Sequence, residues 1–94
     1  MFVCALRIEL FFPQSHSLKE RRAHLRPVLE GLRNRFPVSV AEVGDTEKWQ
    51  RASLGIAVVG SSVPIVAHVL DDCERFAWSF PEFEVLSTER AWLD

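Results

Sequence analysis

The sequence predicts an α+β domain whose elements follow the order β-α-β-β-α-β. Three observations predict this class: an opening segment of alternating apolar residues, two segments of helical apolar periodicity that each follow a serine, and three further short apolar runs. Of the 94 residues, 48% are hydrophobic and 26% are charged. These values are typical of one globular domain over residues 1–94 and exclude a disordered chain.

The opening strand is predicted over residues 2–12, because apolar and mixed positions alternate there. The positions expected to face the core are Phe2, Cys4, Leu6, Ile8, Leu10 and Phe12. Pro13 then ends the strand.

The first helix is predicted to begin at Leu18, since Ser17 and Glu20 have the spacing of a capping box. An apolar stripe follows along one face and consists of Leu18, Leu25, Leu29, Leu32 and Phe36. Pro27 interrupts this pattern, because proline lacks an N–H and clashes with the preceding turn. We expect a kink between Ala23 and Pro27, with two shorter helices as the alternative.

The remaining elements follow from apolar runs and breakers. Residues 38–43 and 52–59 read as two strands of a hairpin, and Ser62 with Pro64 marks the start of a second helix. Pro81 closes that helix, and residues 83–90 form the last predicted strand. This order predicts a ferredoxin-like fold, in which two helices cover one face of a four-stranded antiparallel sheet.

One flank of the first helix is strongly cationic. Lys19, Arg22, Arg26 and Arg33 fall within an arc of about 60° beside the apolar stripe. Residues 15–36 carry six basic and two acidic side chains, so this segment is +4 and the rest of the −2 chain is −6. Guanidinium groups bind phosphates, and the helix N-terminus beside His16 adds backbone donors.

Two other interpretations of this flank are open. It is either a solvated helix face whose arginine stems cover apolar surface, or a partner for the acidic residues 71–74 of another subunit. The predicted third strand has no aromatic side chain, which argues against base stacking on the sheet. RNA would then be held mainly through its phosphates.

Trp49 and Arg51 are the second candidate for nucleic-acid contact. A tryptophan on a polar connection either stacks a base or folds over the core or an interface. Arg51 is alternatively expected to pair with Glu42 or Glu47. The complete predicted nucleic-acid site is His16, Lys19, Arg22, Arg26, Arg33, Trp49 and Arg51.

The sheet face without helices is predicted to be small and apolar. A contiguous apolar face of this kind marks an interface, so we expect a homodimer, with a monomer or association through sheet edges as alternatives. The expected dimer interface consists of Val3, Ala5, Phe11, Ala57 and Val59. Ala41, Val43, Arg7 and Glu9 are expected on the same face.

Catalytic and metal chemistry are not predicted, although His16 beside Ser15 and Ser17 leaves a small phosphate-handling enzyme as a less favoured alternative. The loop at residues 13–17 lacks the glycines of a phosphate-cradling loop, and no nucleophile has a neighbouring base. Cys4 and Cys73 are isolated, and the three histidines lack ligand spacing, so we expect no metal and no cofactor. The sequence has no signal peptide or membrane-spanning run, which predicts a cytoplasmic protein without membrane contact.

Several segments resemble the YlxP-like family of small bacterial proteins. They are residues 16–22, the strand at 38–44, residues 49–52 and the strand at 55–59. The resemblance implies a ferredoxin-like fold and, through gene neighbourhood in some bacteria, a role around ribosomal RNA. Pro27 departs from the expected helix of that family.

Overall fold

The computed structural model describes residues 1–93 and has the predicted element order. The elements are β1 (Phe2–Phe11), α1 (Leu18–Arg35), β2 (Ser39–Val43), β3 (Arg51–Gly60), α2 (Val63–Trp78) and β4 (Glu84–Leu93). The strands form one antiparallel sheet in the order β2-β3-β1-β4, with β2 and β4 at the edges. This confirms the ferredoxin-like α+β fold. β4 runs three residues beyond its predicted end at Arg90.

The core lies between the sheet and the two helices. Cys4, Leu6, Ile8 and Leu10 of β1 are fully buried there, as the alternation predicts, whereas Phe2 at the strand start is exposed. β1 is a central strand that pairs with β3 on one side and with β4 on the other. Its odd-numbered side chains therefore lie on the uncovered face of the sheet.

α1 is a continuous helix through Pro27, so the two-helix alternative is wrong. Pro27 cannot donate to the carbonyl of Ala23, four residues earlier. Both residues are exposed, which places the missing hydrogen bond on the solvent side, where water can satisfy that carbonyl. The proline is tolerated because it interrupts the outer face of the helix rather than its packed face.

α2 begins as the sequence predicts. The Ser62 hydroxyl accepts a hydrogen bond from the Ile65 N–H, and Pro64 lies in the first turn. α2 packs on α1 at Gly31, where a Cβ would collide with the Phe76 ring. Within residues 1–93, neither helix is long and apolar enough to cross a membrane.

Candidate nucleic-acid interface

The N-terminus of α1 is held by a capping arrangement. Ser17 Oγ accepts a hydrogen bond from the Glu20 N–H, and the Glu20 carboxylate accepts one from the His16 N–H at 3.0 Å. The glutamate thus reaches one residue further back than a standard capping box requires. The His16 and Lys19 side chains are exposed beside this terminus.

Arg21 is the residue that sequence reasoning missed. Its side chain is completely buried, with Nη1 2.6 Å from Glu42 Oε1 and Nη2 donating to the Thr46 carbonyl at 2.9 Å. The Glu42 contact is close but poorly aligned for a hydrogen bond, so charge attraction dominates it, and Arg21 Nε has no partner within the described chain. Arg21 therefore ties α1 to β2 and to the loop at 44–50.

A signal for this role was present in the spacing. Arg21 lies three residues after Leu18 and four before Leu25, which places it on the apolar stripe instead of the exposed flank. A charged side chain at such a position needs a buried partner. The structure supplies Glu42 as this partner. Arg51 forms no ion pair with Glu42 or Glu47, so the predicted pairing of Arg51 is wrong.

A groove of about 340 Å³ runs between α1 and the edge strand β2. Its walls are formed by Arg22, Leu25, Arg26, Leu29, Glu30, Arg33 and Glu42. Three of the four predicted flank residues therefore line one concave surface. The Glu42 carboxylate is offset by Arg21, so the groove keeps an excess of positive charge.

Arg33 lies in this groove despite the proline six residues before it. Its Nη2 donates to the Val40 carbonyl of β2 at 3.2 Å, which leaves other N–H groups of the guanidinium free. Arg35, two residues later, instead lies over the Phe76 ring at 4.8 Å. It is thus engaged in helix packing and is not part of the groove.

The structure does not gather all seven predicted residues into one site. Lys19 and His16 lie at the helix start and do not line the groove. Trp49 is 59% exposed on the loop before β3. This loop is linked to the loop between β1 and α1, because Gln50 Nε2 donates to the carbonyls of Pro13 and Ser15. Arg51 begins β3 and borders a different, polar pocket on the uncovered face.

The predicted dimer residues share the uncovered face of the sheet. Val3 pairs with Val59, Ala5 with Ala57, and Phe11 lies further along the same side of β1. Val59 is 59% exposed, whereas Val3 and Phe11 are half-buried.

Arg7 and Glu9 interrupt this apolar face with an ion pair at 2.7 Å. A hydrogen bond from Ser53 and the pairing with Arg7 lower the pKa of the Glu9 carboxyl, so the group stays ionised. The face therefore combines an apolar end at Val3 and Val59 with a polar end at Glu9 and Ser53.

The acidic stretch at 71–74 is engaged within the same chain. Arg90 of β4 contacts Asp71 at 2.7 Å and also binds Glu74, while Asp72 pairs with Arg75 and lies near His68. These carboxylates already have cationic neighbours.

Both cysteines are buried free thiols. Burial raises the pKa of Cys4, and it raises that of Cys73 to about 11 with the help of the neighbouring Asp72 carboxylate. Across residues 1–93, no group of three or more His, Cys, Asp or Glu side chains is arranged to hold a metal ion.

Comparison with known proteins identifies related sequences. A family model described as "Protein of unknown function (DUF503)" matches residues 3–90. The chain is also 43% identical over 76 residues to a Bacillus subtilis (strain 168) protein called "Uncharacterized protein YlxP". That alignment covers 81% of this chain and 83% of the relative. The YlxP-like resemblance of the sequence is thereby confirmed.

Proposed function

The chain belongs to the DUF503 family of proteins of unknown function, and from its surface we propose that it is a non-catalytic, cytoplasmic RNA-binding protein. The groove between α1 and β2 would receive RNA phosphates, and the resemblance points to ribosomal RNA as the partner. The observation that carries the proposal is the alignment of Arg22, Arg26 and Arg33 along one groove.

The chemistry of the groove suits a phosphate backbone. Guanidinium groups bind phosphate oxygens through paired, charge-assisted hydrogen bonds. The buried Arg21 links α1 to Glu42 of β2 and to the Thr46 carbonyl, so the exposed arginines lie on a helix that is held against the sheet. Lys19, one turn before Arg22, extends the cationic surface toward the helix start. Contacts of this type position RNA without reading its sequence.

Binding of a ribosomal RNA fragment by fluorescence anisotropy over a salt series tests the proposal. If about four phosphates are contacted, log K falls against log salt with a slope of roughly −3. Reversing Arg22→Glu and Arg26→Glu together should weaken binding to every RNA sequence alike and make the slope less steep by roughly 1.5.

The matched control is Arg35→Glu with Arg75→Glu, which changes the net charge equally but lies outside the groove. This variant should retain most of the affinity. Unchanged RNA affinity in the groove variant would refute the proposal. Equal losses in both variants would also refute it, because net charge alone would then explain binding.

A second candidate is self-association through the uncovered sheet face. The exposed Val59 of β3, which pairs with the apolar Val3 on the same face, favours it, since contiguous exposed apolar surface marks an interface. Sedimentation equilibrium of Val59→Asp should then show loss of a dimer that the unmodified chain forms. Ile65→Asp, which changes an equally exposed apolar residue on α2, is the control. A monomeric unmodified chain would refute this candidate.

A further inference from the structure

A second polar pocket lies on the uncovered face of the sheet, away from the α1 groove. It measures about 190 Å³ and forms where β1, β3 and the loop at 44–50 meet. Its polar lining consists of Arg7, Glu9, Asp45, Lys48, Arg51 and Ser53. None of these residues lines the α1 groove.

Arg7 is held in a fixed orientation in this pocket. Its Nε donates to Glu9 Oε1 at 2.7 Å, and its Nη2 donates to Ser53 Oγ at 3.3 Å. Ser53 in turn donates to Glu9 Oε2 at 2.6 Å. An arginine has five N–H donors, so this closed network leaves three of them available to a ligand. The guanidinium is therefore oriented before any ligand arrives.

The carboxylates of the pocket are already engaged. Both oxygens of Glu9 accept hydrogen bonds within the network, and Asp45 Oδ1 accepts one from the Glu47 N–H at 2.9 Å. In contrast, Lys48 and Arg51 form no ion pair with the part of the chain that the structure describes. With Arg7 paired to Glu9, Lys48 and Arg51 outnumber the remaining Asp45, so the pocket has an excess of positive charge beside an oriented arginine.

The turn at Gly44 keeps this site open. Gly44 has a φ of +75°, a conformation that side chains rarely adopt, and a Cβ there would lie 3.1 Å from Arg7 Nη2. Glycine thus allows the loop to turn directly beside the guanidinium without filling the space in front of it.

We propose that this pocket binds a single phosphate group. Its volume is below the roughly 300–1,000 Å³ typical of pockets for whole small molecules, so it suits one phosphate rather than an entire nucleotide. Arg7, Arg51 and Lys48 supply the donors, and the phosphate offsets their excess charge. The group belongs either to a free phosphate compound or to an RNA backbone, and the site does not depend on the α1 groove.

Titration of the ¹⁵N-labelled protein with inorganic phosphate, and separately with a single-stranded RNA, tests this site. Saturable shifts of the Ser53 and Lys48 amides with inorganic phosphate would assign a free phosphate compound. Saturable shifts of the same amides with RNA but not with inorganic phosphate would show that the bound phosphate belongs to an RNA backbone. Lys48→Met with Arg51→Met should weaken the binding by about tenfold, as expected from the loss of two charge-assisted contacts.

The control variant is Arg35→Met with Arg75→Met, which removes the same number of charges outside both pockets and should leave the phosphate response of Ser53 unchanged. Two results would overturn the proposal. One is the absence of saturable shifts with either ligand at millimolar concentration. The other is an undiminished response in the Lys48 and Arg51 double variant. If the α1 groove does not bind RNA, the titration with inorganic phosphate still tests this pocket.

Discussion

Replacement of Arg21 by methionine perturbs the buried link between α1 and β2 most directly. Methionine fills most of the space but removes the guanidinium, which leaves Glu42 without its counter-ion and the Thr46 carbonyl without its donor. Removing one partner of a buried ion pair costs about 3–5 kcal/mol. The Glu42 side chain is 19% exposed, so water reaches it, and we expect the lower end, about 3 kcal/mol.

Urea unfolding followed by circular dichroism measures this loss. For a domain of this size, about 3 kcal/mol corresponds to a fall in Tm of about 12–24 °C. The control Arg22→Met changes the adjacent, exposed arginine and should alter the free energy of unfolding by no more than about 0.5 kcal/mol.

A double variant separates charge from packing. Arg21→Met combined with Glu42→Leu replaces the pair by apolar groups, which is often neutral or stabilising. We therefore expect the double variant to recover most of the stability lost by Arg21→Met. A loss below about 1 kcal/mol in the single variant would refute the reasoning, since a broken buried pair costs more. A double variant no more stable than Arg21→Met would refute it as well.

Three further predictions concern packing, thiol reactivity and pH. Gly31→Ala should lower the free energy of unfolding by about 1–3 kcal/mol because its Cβ would collide with an α2 ring, whereas the exposed Asn34→Ala should not. Cys73, whose pKa is raised to about 11, should react with a thiol reagent at neutral pH only after denaturation, and rapid labelling of the folded chain would contradict this. The folded pKa of Glu9 is lowered below 4.5, so its charge stabilises the fold above that pH and loses this effect as pH falls through the folded pKa. The free energy of unfolding of the unmodified protein, measured in urea, should therefore exceed that of the Glu9→Gln variant by less below pH 4.5 than above it. A difference that does not change with pH would be inconsistent with the ion pair.

Local signals predicted the elements well because their causes lie within a few residues. Ser17 and Glu20 act on neighbouring backbone groups, and the alternation of β1 follows from the two-residue period of a strand. The four-stranded sheet follows from the order of these elements. Most of the fold could therefore be predicted from the sequence.

The pairings of charged side chains in the candidate site depend on which face of the sheet each residue occupies, and one such pairing was predicted wrongly. Glu42 pairs in register with the buried Leu54 and faces the helices, whereas Arg51 pairs with Phe11 on the uncovered face. The two side chains are thus on opposite sides of the sheet and cannot meet. The two-residue period of each strand already indicated this, because Glu42 lies between Ala41 and Val43 and Arg51 has the parity of Ala57 and Val59.

The contact between Arg33 and β2 also affects the tendency of the protein to aggregate. β2 is an edge strand, and free backbone groups on such edges allow sheets of different molecules to join into aggregates. By donating to the Val40 carbonyl, Arg33 occupies one of the acceptors of that strand with a charged group. Substituting Arg33 would therefore change the tendency of concentrated protein to aggregate as well as the charge of the groove. Arg22 and Arg26 make no such contact, so aggregation in an Arg33 variant would report on strand protection and not on ligand binding.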